Sequence, residues 1–192
     1  MTELGDGARV ALVPGFVVEH AATMRVLVDT LPLRQEPLVL FGRQNMTPRL
    51  TSWHGDPQCA YRYSGRTFAP HPWTAELADI RARLRDATGY DFNGVLANFY
   101  RDGSDSMGAH SDDERELGPH PDDIAVASVS LGARRRFLLE RKGGGDRIEC
   151  ALGEGDLLLM SGTTQRHYKH WVPRTSKPVG PRLNLTFRVL LR

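Results

Sequence analysis

Cysteine is nearly absent: Cys59 and Cys150 are the only two among 192 residues, and they have no paired spacing. A disulfide framework and a cysteine-based zinc site are therefore both disfavoured, and a reducing cytoplasm is the natural setting. Long apolar runs are missing too. No stretch of about eighteen apolar residues occurs, so no helix is expected to span a bilayer. The first residues carry Glu3 and Asp6 and lead into no apolar core, unlike a secretory signal. Internal repeats, low-complexity tracts and linkers are also lacking. Neither charge sign dominates, since the formal net charge is only +2 and the pI about 8.7. Such a balance permits a nucleic-acid partner without demanding one. What is present, 40% apolar and 25% charged residues, suits one soluble domain over residues 1–192, expected as a monomer.

Two segments carry a helical stripe. Val17, Ala21, Met24, Val28 and Leu31 recur at helical spacing, and Pro32 ends the run. Leu77, Ile80 and Leu84 repeat the pattern over residues 73–87, with Gly89 as the stop signal. Residues 37–41 and 59–63 read as short strands. From Phe92 onward short apolar runs alternate with glycine-rich turns: residues 94–100, 124–131, 137–140, 148–152, 157–161, 167–172 and 183–191. Many short strands with such turns predict a jelly roll. The expected fold is α+β but mainly β. N-terminal helices and a recognition segment over about residues 1–91 would pack on a double-stranded β-helix over about residues 92–192.

His110-Ser111-Asp112 places an imidazole and a carboxylate two residues apart, on one face if the segment is extended. His167 and His170 follow much later, and either can supply a third ligand. Two histidines and one carboxylate leave three open positions on an octahedral metal, the arrangement of non-haem Fe(II) oxygenases. The stretch Arg182-Leu183-Asn184-Leu185-Thr186-Phe187-Arg188 alternates polar with apolar residues. On a strand the two arginines, Asn184 and Thr186 share one face. That face is either solvated or a row of donors suited to a dicarboxylate, since a guanidinium grips a carboxylate through two parallel hydrogen bonds.

Taken together, His110-x-Asp112, His170 and Arg182-x-Asn184-x-Thr186-x-Arg188 resemble the AlkB family of Fe(II)- and 2-oxoglutarate-dependent nucleic-acid dealkylases. The resemblance runs from about Leu38 to Arg192. It selects His170 over His167, because His170-Trp171-Val172-Pro173 has the family's apolar-proline step after the distal ligand. It also implies that Arg182 pairs with the distal carboxylate of 2-oxoglutarate and that Arg188 lies near the keto-acid end, helped by Asn184 and Thr186. Asn98 and Tyr100 match a second cosubstrate-contacting strand. The implied reaction consumes O₂ and 2-oxoglutarate, yields succinate and CO₂, and hydroxylates the N-methyl carbon of a damaged base, which then loses formaldehyde.

The resemblance extends to substrate handling. A methyl group on the pairing edge of a base is unreachable inside a duplex, so the target must be flipped or single-stranded. Phe41, Gly42 and Arg43 resemble the hydrophobic finger of the duplex-repairing branch, with Phe41 as an apolar wedge. Tyr61 and Tyr63 resemble its base-sandwiching segment, with His110 opposite. Asp113 is expected to orient Arg188, and Glu114 to accept a hydrogen bond from the exocyclic amine of adenine or cytosine. Arg43, Arg49, Arg134, Arg135, Arg136, Arg141, Lys142, Lys169, Arg174 and Lys177 are candidate phosphate contacts if they cluster. Three functions compete: a dealkylase of 1-methyladenine and 3-methylcytosine in DNA, the same chemistry on RNA or single strands, and a binding jelly roll without reactive iron. Strand preference separates the first two, and stoichiometric Fe(II) binding tests the third.

Overall fold

The computed structural model describes residues 1–40, 43–59, 61–63, 66–113, 117 and 124–191; for residues 38–40, 43–44, 61–63 and 66–68 it describes the backbone. The elements run β1 (Thr2–Gly5), β2 (Ala8–Val13), α1 (His20–Thr30), β3 (Pro37–Leu40), β4 (Arg43–Met46), β5 (Leu50–Gly55), β6 (Tyr61–Tyr63), β7 (Arg66–Phe68) and α2 (Ala75–Thr88). They continue with β8 (Gly94–Tyr100), β9 (Met107–His110), β10 (Val126–Gly132), β11 (Arg135–Arg141), β12 (Arg147–Leu152), β13 (Asp156–Gly162), α3 (Thr164–His167), β14 (Tyr168–Val172) and β15 (Arg182–Arg188).

Two antiparallel sheets form the body. The larger has the order β1-β2-β13-β10-β15-β8-β5, and the smaller β12-β11-β14-β9. Two hairpins, β3-β4 and β6-β7, complete the strands. The expected mainly β, jelly-roll architecture is thus observed. The first half contributes more strand than its sequence suggested: β1, β2 and β5 complete the large sheet. Leu50-Thr51-Ser52-Trp53-His54-Gly55 carries no apolar alternation, because this strand is buried along nearly its whole length. Burial on both faces erases the period-two signal.

The alternation of β15 sets the layers. Leu183, Leu185 and Phe187 join Val95, Ala97, Ala127 and Val129 in a core covered by Leu27 of α1 and by Leu77, Ile80 and Leu84 of α2. Both helices therefore lie on the outer face of the large sheet. The second helix is closed at both ends: the Thr74 side chain accepts from the Leu77 amide, and Gly89 takes a left-handed conformation at φ 77°. Between the two sheets lies a second core that includes Tyr100, Val126, Phe137, Leu139, Met160, Tyr168 and Val172. The polar side of β15 points into this inner layer.

Candidate metal and cosubstrate site

The inner layer is where His110, Asp112 and His170 meet. Strand β9 pairs with β14 so that His110 and His170 are direct register partners. Each of the three offers one ligand atom, all within 4.8 Å of one another. His110 reaches the cluster through Nε2, 3.8 Å from Asp112 Oδ1, while its Nδ1 lies 2.9 Å from the Gly108 carbonyl. That carbonyl can only accept, so it fixes the proton on Nδ1 and leaves Nε2 as the lone pair. The His170 ring stacks on Phe137 at 5.4 Å between centroids. Burial and the neighbouring His110 push its pKa down to about 3. It is therefore neutral, as a metal ligand must be. His167 falls on the short helix α3, outside the cluster.

Asp112 is held from two sides. Its backbone amide donates to Gln165 Oε1 at 2.9 Å, and its Oδ1 accepts from Arg188 Nη2 at 2.5 Å. Its Oδ2 is buried with no hydrogen-bond partner among the described residues. Burial raises the carboxyl pKa, but Arg188, His170 and His110 outweigh it, and the net direction is down. An ionised, buried carboxylate with one oxygen 3.8 Å from His110 Nε2 and the other 3.9 Å from His170 Nε2 fits a divalent cation.

A smaller cavity behind this cluster is lined by all six residues expected to meet the cosubstrate: Asn98, Tyr100, Arg182, Asn184, Thr186 and Arg188. Arg182 is 1% exposed, and its Nη2 donates to Ser130 Oγ at 2.8 Å. Its Nε and Nη1 are buried with no partner among the described residues. A buried guanidinium with donors to spare is costly unless an anion meets it, so Arg182 fits a carboxylate of the cosubstrate. Asn184 and Thr186 are tied inward: Asn184 Nδ2 donates to Ser128 Oγ, and Thr186 Oγ1 donates to Asn184 Oδ1. Asn98 Oδ1 accepts from Arg49 Nε at 2.7 Å.

A larger cavity opens on the other side of the cluster. It is lined by Arg49, Thr51, Trp53, His71 and Leu96, and it shares Met107, His110, Asp112 and Arg188 with the smaller one. Trp53, His71, Met107 and Gln165 were not singled out as site residues from sequence, where no motif marks them, and Arg49 was expected at phosphates rather than in this cavity. Two expectations change. Arg188 pairs with Asp112, whereas Asp113 pairs with Lys142 at 3.2 Å. The candidate phosphate contacts do not form one free surface: Arg49 and Arg135 are buried, Arg134 pairs with Glu154 and Asp156, Arg136 with Glu149, and Lys169 with Glu140. Phe41, Gly42 and Glu114 lie outside the described residues, as do the side chains of Arg43, Tyr61 and Tyr63.

Residues 12–188 match the 2OG-Fe(II) oxygenase superfamily. The chain belongs to that superfamily. It accordingly takes Fe(II) as its metal, with 2-oxoglutarate and O₂ as cosubstrates. It is 40% identical over 160 residues to the mouse (Mus musculus) protein named DNA oxidative demethylase ALKBH2, covering 79% of this chain and 66% of that one. It is 37% identical over 195 residues to human (Homo sapiens) alpha-ketoglutarate-dependent dioxygenase alkB homolog 3, covering 95% and 66%. The chain thus spans just under two thirds of the length of these two relatives. Identity to the Arabidopsis thaliana DNA oxidative demethylase ALKBH2 is 30% over 220 residues, covering 98% and 68%. The solved structure of OsALKBH1 superposes with a TM-score of 0.65 at 19% identity, covering 93% of this chain and 97% of that one, and shares the fold.

Proposed function

We propose that this protein demethylates N-alkylated bases in DNA, 1-methyladenine and 3-methylcytosine, as an Fe(II)/2-oxoglutarate-dependent dioxygenase of alkylation repair. One observation carries the reading. The two cavities lie on either side of one His-Asp-His cluster and share its His110 and Asp112. A cosubstrate in the small cavity and a base in the large one would meet at the same point. The relatives named as DNA oxidative demethylases supply the substrate class.

When bound, the metal and 2-oxoglutarate would activate O₂, one oxygen atom going to succinate as CO₂ is released and the other to the N-methyl carbon; the C–N bond then breaks, and that carbon leaves as formaldehyde while the base nitrogen is restored. The chain supplies geometry. Arg182 takes the distal carboxylate, with Tyr100 and Asn98 beside it. Arg188 holds Asp112 Oδ1, which would leave the second carboxylate oxygen free for the metal. Trp53, Leu96 and Met107 give the larger cavity apolar walls that limit water near the reacting carbon. On the sequence resemblance, one of Tyr61 and Tyr63 stacks on the flipped base with His110 opposite, and Phe41 with Gly42 and Arg43 fills the gap in the duplex. On the same resemblance, Glu114 accepts a hydrogen bond from the exocyclic amine of the adenine or cytosine. The two relatives groups are named separately, and we assign this chain to duplex as well as single-stranded DNA on the strength of its Phe41 segment. RNA carrying the same lesions is the alternative substrate. We also place the protein in the cytoplasm as a monomer; among the described residues no helix is long and apolar enough to cross a membrane.

The test is release of formaldehyde from a methylated oligonucleotide with Fe(II), 2-oxoglutarate and O₂. His110→Ala should abolish it, and persistence of turnover in that variant would overturn the metal assignment. Phe41→Ala should lose activity selectively on duplex DNA. Equal rates on single and double strands in both proteins would remove the wedge, and a preference for methylated RNA would move the substrate.

A further inference from the structure

Arg135 begins strand β11, where sequence places a surface charge. It is instead 3% exposed. Its Nη1 donates to the Asp102 carbonyl at 2.8 Å, and its Nη2 to the carbonyls of Asp105 at 2.9 Å and Pro173 at 2.8 Å. Those carbonyls belong to two different segments. Residues 101–106 join the strand ending at Tyr100 to the strand carrying His110. Pro173 follows the strand carrying His170. One planar guanidinium therefore ties together the ends of the strands that bear Tyr100, His110 and His170.

The nearby carboxylates are engaged elsewhere. Asp105 accepts from the backbone amide, Nε and Nη2 of Arg101, and Asp102 accepts from the amide and hydroxyl of Ser104. The hydrogen bonds of Arg135 thus end on neutral carbonyls, and its charge stays in the protein interior. That charge lies over an aromatic face: the guanidinium carbon is 5.7 Å from the centroid of the Tyr100 ring. The Arg182 guanidinium lies 5.2 Å from the same centroid. Two buried cations on one ring repel each other, and burial with this repulsion lowers the pKa of Arg182 even though Tyr100 raises it. An arrangement of that kind is unfavourable in an empty pocket and favourable once a dianion enters. Arg135 does not itself line the small cavity, but Tyr100 and Arg182 do.

We propose that Arg135 is a positioning residue for 2-oxoglutarate: it holds Tyr100 against Arg182 and locks the following loop, so that the dicarboxylate meets a preformed, positively charged pocket. The proposal rests on the reading that this cavity takes 2-oxoglutarate. Lysine cannot replace arginine here, because one ammonium cannot meet three carbonyls in a plane and still stack on the ring.

The experiment titrates 2-oxoglutarate anaerobically into the Fe(II)-loaded full chain by calorimetry, and measures kcat and KM for 2-oxoglutarate alongside. Arg135→Met should raise Kd and KM about tenfold, within the range that supporting partners of a site contribute, with kcat nearly unchanged. Arg135→Lys should give a smaller rise. In a Tyr100→Leu background, Arg135→Met should add nothing further, because its effect passes through that ring. Unchanged affinity in folded Arg135→Lys, or full additivity with Tyr100→Leu, overturns the proposal. Should Arg135→Met fail to fold, Arg135→Lys and its combination with Tyr100→Leu carry the decision. Arg182→Met separates the two levels. If it leaves 2-oxoglutarate binding intact, the assignment of the cavity fails; if it abolishes binding while Arg135 variants bind normally, only the role of Arg135 fails.

Discussion

Arg188 Nη2 donates to Asp112 Oδ1 at 2.5 Å, and this pair leaves Oδ2, 3.9 Å from His170 Nε2, as the carboxylate oxygen with no hydrogen bond among the described residues. The last polar residue of β15 thereby aims a ligand that lies just beyond β9. Truncating Arg188 to Met should lower Fe(II) affinity about 10–100-fold, the cost typical of losing a partner that orients a ligand. The check is an anaerobic Fe(II) titration. Wild-type affinity in a folded variant would show that the pair serves stability alone.

Gln165 does for the backbone what Arg188 does for the side chain. It is fully buried, and its Oε1 accepts the Asp112 amide at 2.9 Å. Gln165→Leu strands that amide in the interior. The expected loss is about 1–3 kcal/mol of stability, the cost of an unsatisfied buried group, with weaker iron binding beyond it. Denaturant unfolding of the apo-protein measures the first effect and metal titration the second. An unaltered midpoint would mean that the amide finds another acceptor.

How much of this was legible in the sequence differs between the two cases. Arg188 belongs to a strictly alternating strand, and alternation is a local property that a sequence displays. The His110-x-Asp112 pair and the arginine-bearing strand could therefore be read directly. Gln165 and Arg135 act between segments far apart in sequence, through partners such as Asp112, Asp102 and Pro173 that the chain brings near only on folding. No spacing announces such contacts. Strand β5 was missed for a related reason: burial on both faces leaves no period to detect. Arg135 was misplaced because an arginine between two others reads as a solvated run, and only the register of β11 shows which one turns inward.

A pH dependence follows from His54. Its ring is buried, with Nδ1 2.8 Å from the Pro72 carbonyl and Nε2 2.8 Å from Ser52 Oγ. Burial lowers its pKa from the ordinary 6.5, the Pro72 contact opposing and His71 adding to the shift. Below about pH 6.5 the unfolded chain takes up a proton that the folded chain resists, so stability falls as pH drops. His170 acts in the same direction over the window from 6.5 down to about 3. Metal-free protein should therefore lose unfolding free energy between pH 7 and 5. His54→Gln should flatten that slope. An unchanged slope in the variant would assign the effect to His170 and other groups.

Adjacent residues of β15 should separate stability from binding. Leu185 is fully buried in the core beneath the helices, whereas Thr186 faces the small cavity and donates to Asn184 Oδ1 at 3.0 Å. Leu185→Ala removes packed methyl groups and should cost about 2–5 kcal/mol, leaving the KM for 2-oxoglutarate near that of wild type in the folded fraction. Thr186→Ala removes one hydrogen bond, worth about 0.5–1.5 kcal/mol, and loosens the Asn184 side chain beside Arg182. Its stability should fall by no more than that, well short of Leu185→Ala, while the KM for 2-oxoglutarate rises. Chemical denaturation paired with steady-state kinetics on both variants distinguishes the faces. If Thr186→Ala behaves like Leu185→Ala, with a large stability loss and an unmoved KM, then the inner face of this strand serves packing and the dicarboxylate binds elsewhere.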